Sequence, residues 1–185
     1  MLSYAQNFED VILWRALKDV GVGFYIDIGA QDPVIDSVSR AFYDAGWRGV
    51  HVEPSPAYAA KLRRERPGEE VLQLALGKTE GDLRFFHFPD TGLSTGVEEI
   101  ARGHLVQGWR VEDITVPQKT TAQVLDLYAD RDIHWMKIDI EGWEPQAFDG
   151  MSRLLGSDDR PALMFESNIT MLARSGHTAS RSTRC

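Results

Sequence analysis

The chain has 185 residues, 43% of them apolar, which suits one domain with a genuine core. A formal net charge of −8 and a pI near 5.1 argue against a broad nucleic-acid footprint. No uninterrupted apolar run approaches the roughly 20 residues that span a bilayer, and Met1-Leu2-Ser3-Tyr4 lacks the layout of a signal peptide, so a cytoplasmic protein off the membrane is expected. The single cysteine, Cys185, excludes an internal disulfide and a cysteine-based metal cage.

Asn7 ahead of Phe8-Glu9-Asp10 reads as a helix cap with acids in the first turn. Leu13, Ala16, Leu17 and Val20 make one stripe that Gly21 ends, a helix expected against the sheet or over a ligand crevice. Phe24 to Ile28 is a short strand, broken at Gly29 and turned at Asp32-Pro33. Val38, Ala41, Phe42 and Ala45 follow at helical spacing, with Asp36 or Ser37 as cap and Gly46 as the stop. Val50 to Glu53 is a second strand halted by Pro54, and Ser55-Pro56 opens a helix that runs to about Arg66. Val71 to Leu76 reads as a single third strand ending at Gly77. This alternation implies a parallel sheet with right-handed crossovers.

Leu83 to Phe88 and Val111 to Val116 read as an antiparallel inserted pair, with turns at Asp90-Thr91-Gly92 and Thr95-Gly96. Thr121 starts a short helix using Val124, Leu125 and Tyr128. Ile133 to Ile140 is the strongest later strand, with Lys137, Asp139 and then Glu141 on one side and Met136, Ile138 and Ile140 on the other. Gly142 breaks it, Pro145 suits a first helical turn, and Ala147, Phe148, Met151 and Leu155 form a packing face. Ala162 to Phe165 is the last strand, ending in Glu166. From Ser167 to Cys185 the pattern dissolves into polar, basic sequence, so a domain is placed at 1–166 and a disordered tail at 167–185.

Glu53 lies 26 positions after Asp27, near the spacing of about 20 between a nucleotide-binding turn and the acid that holds the ribose. Asp27 itself is expected to present a carboxylate at the rim of the same crevice. The turn is not a dinucleotide fingerprint. Gln31 and Pro33 stand at the later glycine positions, and a proline offers no N–H to a phosphate. A ligand with an adenosine and no phosphate fits better, and S-adenosylmethionine is one. Asp139 and Glu141, with Glu144 behind them, could orient a substrate hydroxyl, accept its proton, or hold a divalent cation. The plainer reading is an acidic strand end neutralised by Lys137 and a helix N-terminus. His51 and His134 read as partnered core residues, and Trp14, Trp47, Trp135 and Trp143 as packing.

Four segments together resemble the FkbM family of S-adenosylmethionine-dependent methyltransferases. They are Ser3-Tyr4-Ala5-Gln6-Asn7-Phe8-Glu9-Asp10, Tyr25-Ile26-Asp27-Ile28-Gly29-Ala30-Gln31-Asp32-Pro33, Val52-Glu53-Pro54-Ser55-Pro56, and Lys137-Ile138-Asp139-Ile140-Glu141-Gly142 with Glu144. The similarity runs from about Ser3 to Glu166. It implies an α/β, Rossmann-like methyltransferase fold, a mostly parallel sheet in the order 3-2-1-4-5-7-6 with helices on both faces. It also implies O-methylation of a hydroxyl on a sugar or secondary metabolite. On that reading Glu53, beside Pro54, holds the ribose, while Gly29 and Ala30 pass beneath the methionine part and Asp32 reaches its amino group or loop. Ala75 and Leu76 flank the adenine, and Asp139 or Glu141 is the polar catalytic partner; no metal ligand is assigned.

Two departures stand out. Gln31 replaces a common asparagine, and Ser167 to Cys185 is too short and polar for the family's closing helix and hairpin. The last strands of the order are therefore expected to be missing, leaving an exposed edge open to self-association. That feature supports an alternative, a truncated non-catalytic domain that binds cofactor or a partner. An NAD-dependent oxidoreductase shares the layout but lacks the glycine fingerprint.

Overall fold

The computed structural model describes residues 2–148, 151 and 161–165. Along the chain, α1 (Glu9–Ala16) leads into β1 (Phe24–Ile28), α2 (Arg40–Asp44), β2 (Arg48–Val52), α3 (Pro56–Glu65) and β3 (Glu70–Leu72). An inserted unit follows, made of β4 (Ala75–Gly77), β5 (Gly81–His87), α4 (Glu98–Val106) and β6 (Glu112–Thr120). Then come α5 (Thr121–Asp126), β7 (Ile133–Ile138), α6 (Glu144–Phe148) and β8 (Ala162–Phe165).

The main sheet has the order β3-β2-β1-β7-β8 with every pair parallel. This matches the first five places of the expected order, an α/β, Rossmann-like arrangement. The expected later strands, Leu155, Glu166 and the 167–185 tail lie outside the described residues. β1 is central because it is apolar enough to be covered twice: Tyr25 to Ile28 are all buried. One face carries Ile26, Ile28, Val52 and Ile138 against Val124 of α5 and Ala147 of α6. The other stacks Tyr25 on Trp135, ring centroids 4.6 Å apart, beneath Leu13 of α1 and Phe42 of α2. Asp27, His51 and Lys137 sit in register across β1, β2 and β7.

The insertion forms a second sheet, β4-β6-β5, in which β5 and β6 are antiparallel as expected. The apolar run from Val71 to Leu76 is not one strand. The Leu74 N–H turns back to the Leu72 carbonyl at 3.0 Å, and Ala75–Gly77 crosses to pair with Gln118–Thr120 of the second sheet. A continuously apolar run has no period that separates one strand from two. Two further expectations are corrected. Phe8, at φ 62°, takes the N-cap of α1, because the backbone and side-chain amides of Asn7 both donate to Glu9. Ser39 rather than Asp36 or Ser37 precedes α2, since the Ser37 hydroxyl is taken by Arg66. α4 was not foreseen; it buries Ile100, Ala101 and His104 despite Gly103 inside it. Among the described residues no helix is long and apolar enough to cross a membrane.

Candidate active site

The carboxyl ends of β1, β2 and β7 finish level with one another. The Gly29 N–H donates to the Val52 carbonyl at 2.9 Å, and the Asp139 N–H to the Ile28 carbonyl at 3.1 Å. Gly29 has φ +74°, and a Cβ there would lie 1.8 Å from the Asp139 carbonyl oxygen. Only glycine allows that bend and that closeness. A cavity of about 520 Å³ opens at these tips, where ligands bind in open parallel sheets. Gly29, Ala30, Glu53, Pro54, Asp139 and Glu141 all line it, so six of the expected positions meet in one place.

Glu53 is buried, yet its carboxylate is well supplied with donors. The backbone N–H groups of Gln31 and Ser55 each reach a different oxygen at 2.8 Å. Burial still dominates and pushes its pKa up to about 7, against the pull of those two bonds and of Lys137. Each oxygen keeps a lone pair for a further donor.

Lys137 lies between the cavity and the sheet. Its ammonium reaches Asp139 at 3.2 Å, the Gly29 carbonyl at 3.3 Å and Asp27 at 3.9 Å. Burial works against this charge, but Asp27, Asp139 and Glu53 outweigh it and hold the pKa above the ordinary lysine value. Lys137 is the one basic side chain lining the cavity among the described residues, against the acids Glu9, Asp36, Glu53, Asp139 and Glu141. Glu144 is buried behind them and accepts from the N–H groups of Ile140 and Gly142; burial raises its pKa.

Four expected contacts are placed elsewhere. Asp27 is fully buried under the tips and does not line the cavity, because Lys137 and His51 enclose its carboxylate. Asp32 turns into its own loop, accepting from the N–H groups of Val34 and Ile35 and pairing with Lys61, which together hold its pKa low despite burial. Ala75 and Leu76 belong to the second sheet and line a separate apolar slot that shares Pro54, Phe85 and Ile140 with the cavity. His51 and His134 are partnered in their strands, by Glu69 at 2.8 Å and by the Phe24 N–H at 3.2 Å.

The family model described as the methyltransferase FkbM domain matches residues 27–177. The chain belongs to the FkbM methyltransferase family. No curated protein and no solved structure matches it.

Parts of this FkbM site were not singled out from sequence. Thr91, Gly92, Leu93 and Ser94, from the turn after β5, line the cavity, as do Gln6, Asn7 and Tyr58. The turn is tied down at both ends. The Thr91 hydroxyl donates to the Phe88 carbonyl at 2.8 Å, and the Thr95 hydroxyl donates to the Glu141 carbonyl at 2.9 Å. Its turn residues were visible, but its partner in the site lies 46 positions away. Among the described residues no group of three or more His, Cys, Asp or Glu is placed to hold a metal ion.

Proposed function

We propose that this FkbM domain is an S-adenosylmethionine-dependent O-methyltransferase whose acceptor is a hydroxyl of a sugar or secondary metabolite. One observation carries the reading: a buried acid, a bare backbone bend and a pair of carboxylates from three separate strands line a single cavity. The residues fit the cofactor's chemistry. An acidic lining suits a ligand with an ammonium and a sulfonium, and a single, already paired lysine is a poor seat for phosphates. When bound, the cofactor supplies an activated methyl group on a cationic sulfur. Glu53 is the residue to accept the ribose hydroxyls, and Gly29 and Ala30 leave room for the methionine end.

The chain's own part in catalysis is chiefly alignment, which can supply several kcal/mol, about 7 to 11 in well-oriented systems. Asp139, held by Lys137, and Glu141, held through its carbonyl by Thr95, are the groups that orient the acceptor oxygen. The non-catalytic alternative draws no specific support from this geometry. Titration calorimetry with adenosylmethionine and adenosylhomocysteine tests the reading: binding of both at one site is expected. No heat from either, with folded protein, would defeat it. Transfer of a tritiated methyl group to any sugar acceptor would exclude the non-catalytic domain.

A further inference from the structure

Methylation of a hydroxyl leaves a proton to be removed, and Asp139 is already committed to Lys137. We infer that Ser94 and His87 form a relay that takes this proton, Ser94 touching the acceptor and His87 positioned behind it. The inference rests on the hydroxyl-methylation reading. Ser94 lines the cavity; the Phe88 N–H donates to its Oγ at 3.0 Å, and His87 Nδ1 lies 3.2 Å from the same atom. A hydroxyl has one proton and two lone pairs. With Phe88 on one lone pair, the Ser94 proton is free to point at His87 Nδ1. The second lone pair is then left for a donor in the cavity, and an acceptor hydroxyl is such a donor.

His87 suits the receiving end. It is the last residue of β5 and pairs in the ladder with Glu112 of β6. Burial holds its pKa below the ordinary histidine value, so the ring is neutral at pH 7 and able to accept. Glu112 and Asp90 are the charged groups that act on it, and both favour the imidazolium once it forms. Thr95, the next residue after Ser94, bonds to the Glu141 carbonyl, which fixes the hydroxyl relative to the tip of β7.

The step balances without a further reactant. The acceptor oxygen bonds the methyl carbon as the sulfonium S–C bond breaks, and sulfur keeps that electron pair. The acceptor's proton passes to Ser94 Oγ while the proton of Ser94 passes to His87 Nδ1. The product leaves with the ring protonated, and solvent restores it.

Nitrogen-15 NMR of the full chain with adenosylhomocysteine provides a readout without turnover. An unprotonated Nδ1 on His87 that shifts in Ser94→Ala is expected; a protonated Nδ1 would make the ring a donor to Ser94 and overturn the relay. The second arm uses tritiated adenosylmethionine with a panel of hexose and deoxyhexose glycosides. Ser94→Ala and His87→Asn should lower turnover about 100-fold with unchanged calorimetric affinity for adenosylhomocysteine. His87→Asn keeps an acceptor for Ser94 but cannot take the proton, so with saturating adenosylmethionine the fall in rate toward low pH should vanish in it. Ser94→Thr, which keeps the hydroxyl, should recover most of the rate. Variants that label at the wild-type rate would overturn the relay and leave the methyl-transfer reading standing. Absence of cofactor binding in the wild type would overturn both.

Discussion

Glu53 is under two opposed demands, burial that favours its neutral form and two backbone donors that favour its charge. With a pKa near 7, a fraction of the free protein carries it protonated at neutral pH. Ribose hydroxyls donate better to the carboxylate. Affinity for adenosylhomocysteine should therefore rise with pH through about 7 and level off above it, with proton release visible by calorimetry in buffers of different ionisation enthalpy. The stability consequence has a definite sign. A raised pKa stabilises the fold below the unfolded value of 4.5, and that contribution is lost as pH climbs through about 7. The loss is about 3 kcal/mol in all, and urea titrations at several pH values should show it in the wild type and not in Glu53→Gln. Gly29 is constrained more simply. Gly29→Ala places a methyl group within 1.8 Å of backbone that cannot move without parting β1 from β7. A cost of about 3 kcal/mol or more is expected, read as a lower melting temperature.

Elements announced by local chemistry were legible, and those defined by their partners were not. Ser55 followed by Pro56 states where α3 begins whatever surrounds it, and the Ser55 hydroxyl accepts from Tyr58 as that pattern demands. The tips of β1 and β2 were legible for the same reason, since Gly29 and Pro54 each stop a strand locally, whereas β7 ends at Ile138, two residues short of the expected Ile140. The separation of β3 from β4 depends on which sheet each side pairs with, and the residues themselves are apolar throughout. α4 depends on the pocket that receives Ile100 and Ala101, and Gly103 hides it from propensity. α5 joins the two kinds of signal. Thr120 closes the pairing of β6 with Gly77 and then caps α5 in a reciprocal box with Gln123. Thr120→Ala should cost about 1 kcal/mol, and Gln123→Ala should cost little more when added, because both changes break the same box. Denaturant midpoints of the two single variants and the pair check this.

At the scale of the whole molecule, a buried charge cluster ties the site to the far end of α3. Glu69, its side chain fully buried, accepts from the Tyr25 hydroxyl, from His51 Nε2 at 2.8 Å and from Arg66 at 3.4 Å. Arg66, buried as well, donates to the Pro33 carbonyl at 2.6 Å and to the Ser37 hydroxyl at 3.0 Å. The loop after β1, the end of α3 and the underside of β1 and β2 are thus pinned by one pair of opposite charges. In sequence Arg66 and Glu69 are ordinary polar residues around Pro67-Gly68, and nothing near them shows that both side chains fold inward. Glu69→Ala leaves the guanidinium buried beside His51 with its acid removed, which should cost about 3 to 5 kcal/mol. Replacing both, as Arg66→Met with Glu69→Leu, removes the orphaned charge along with its partner and should cost less than Glu69→Ala alone. Urea denaturation of the single and the double variant is the measurement. A double variant no more stable than Glu69→Ala would mean that the loop contacts of Arg66, rather than its pairing with Glu69, hold this end of the fold.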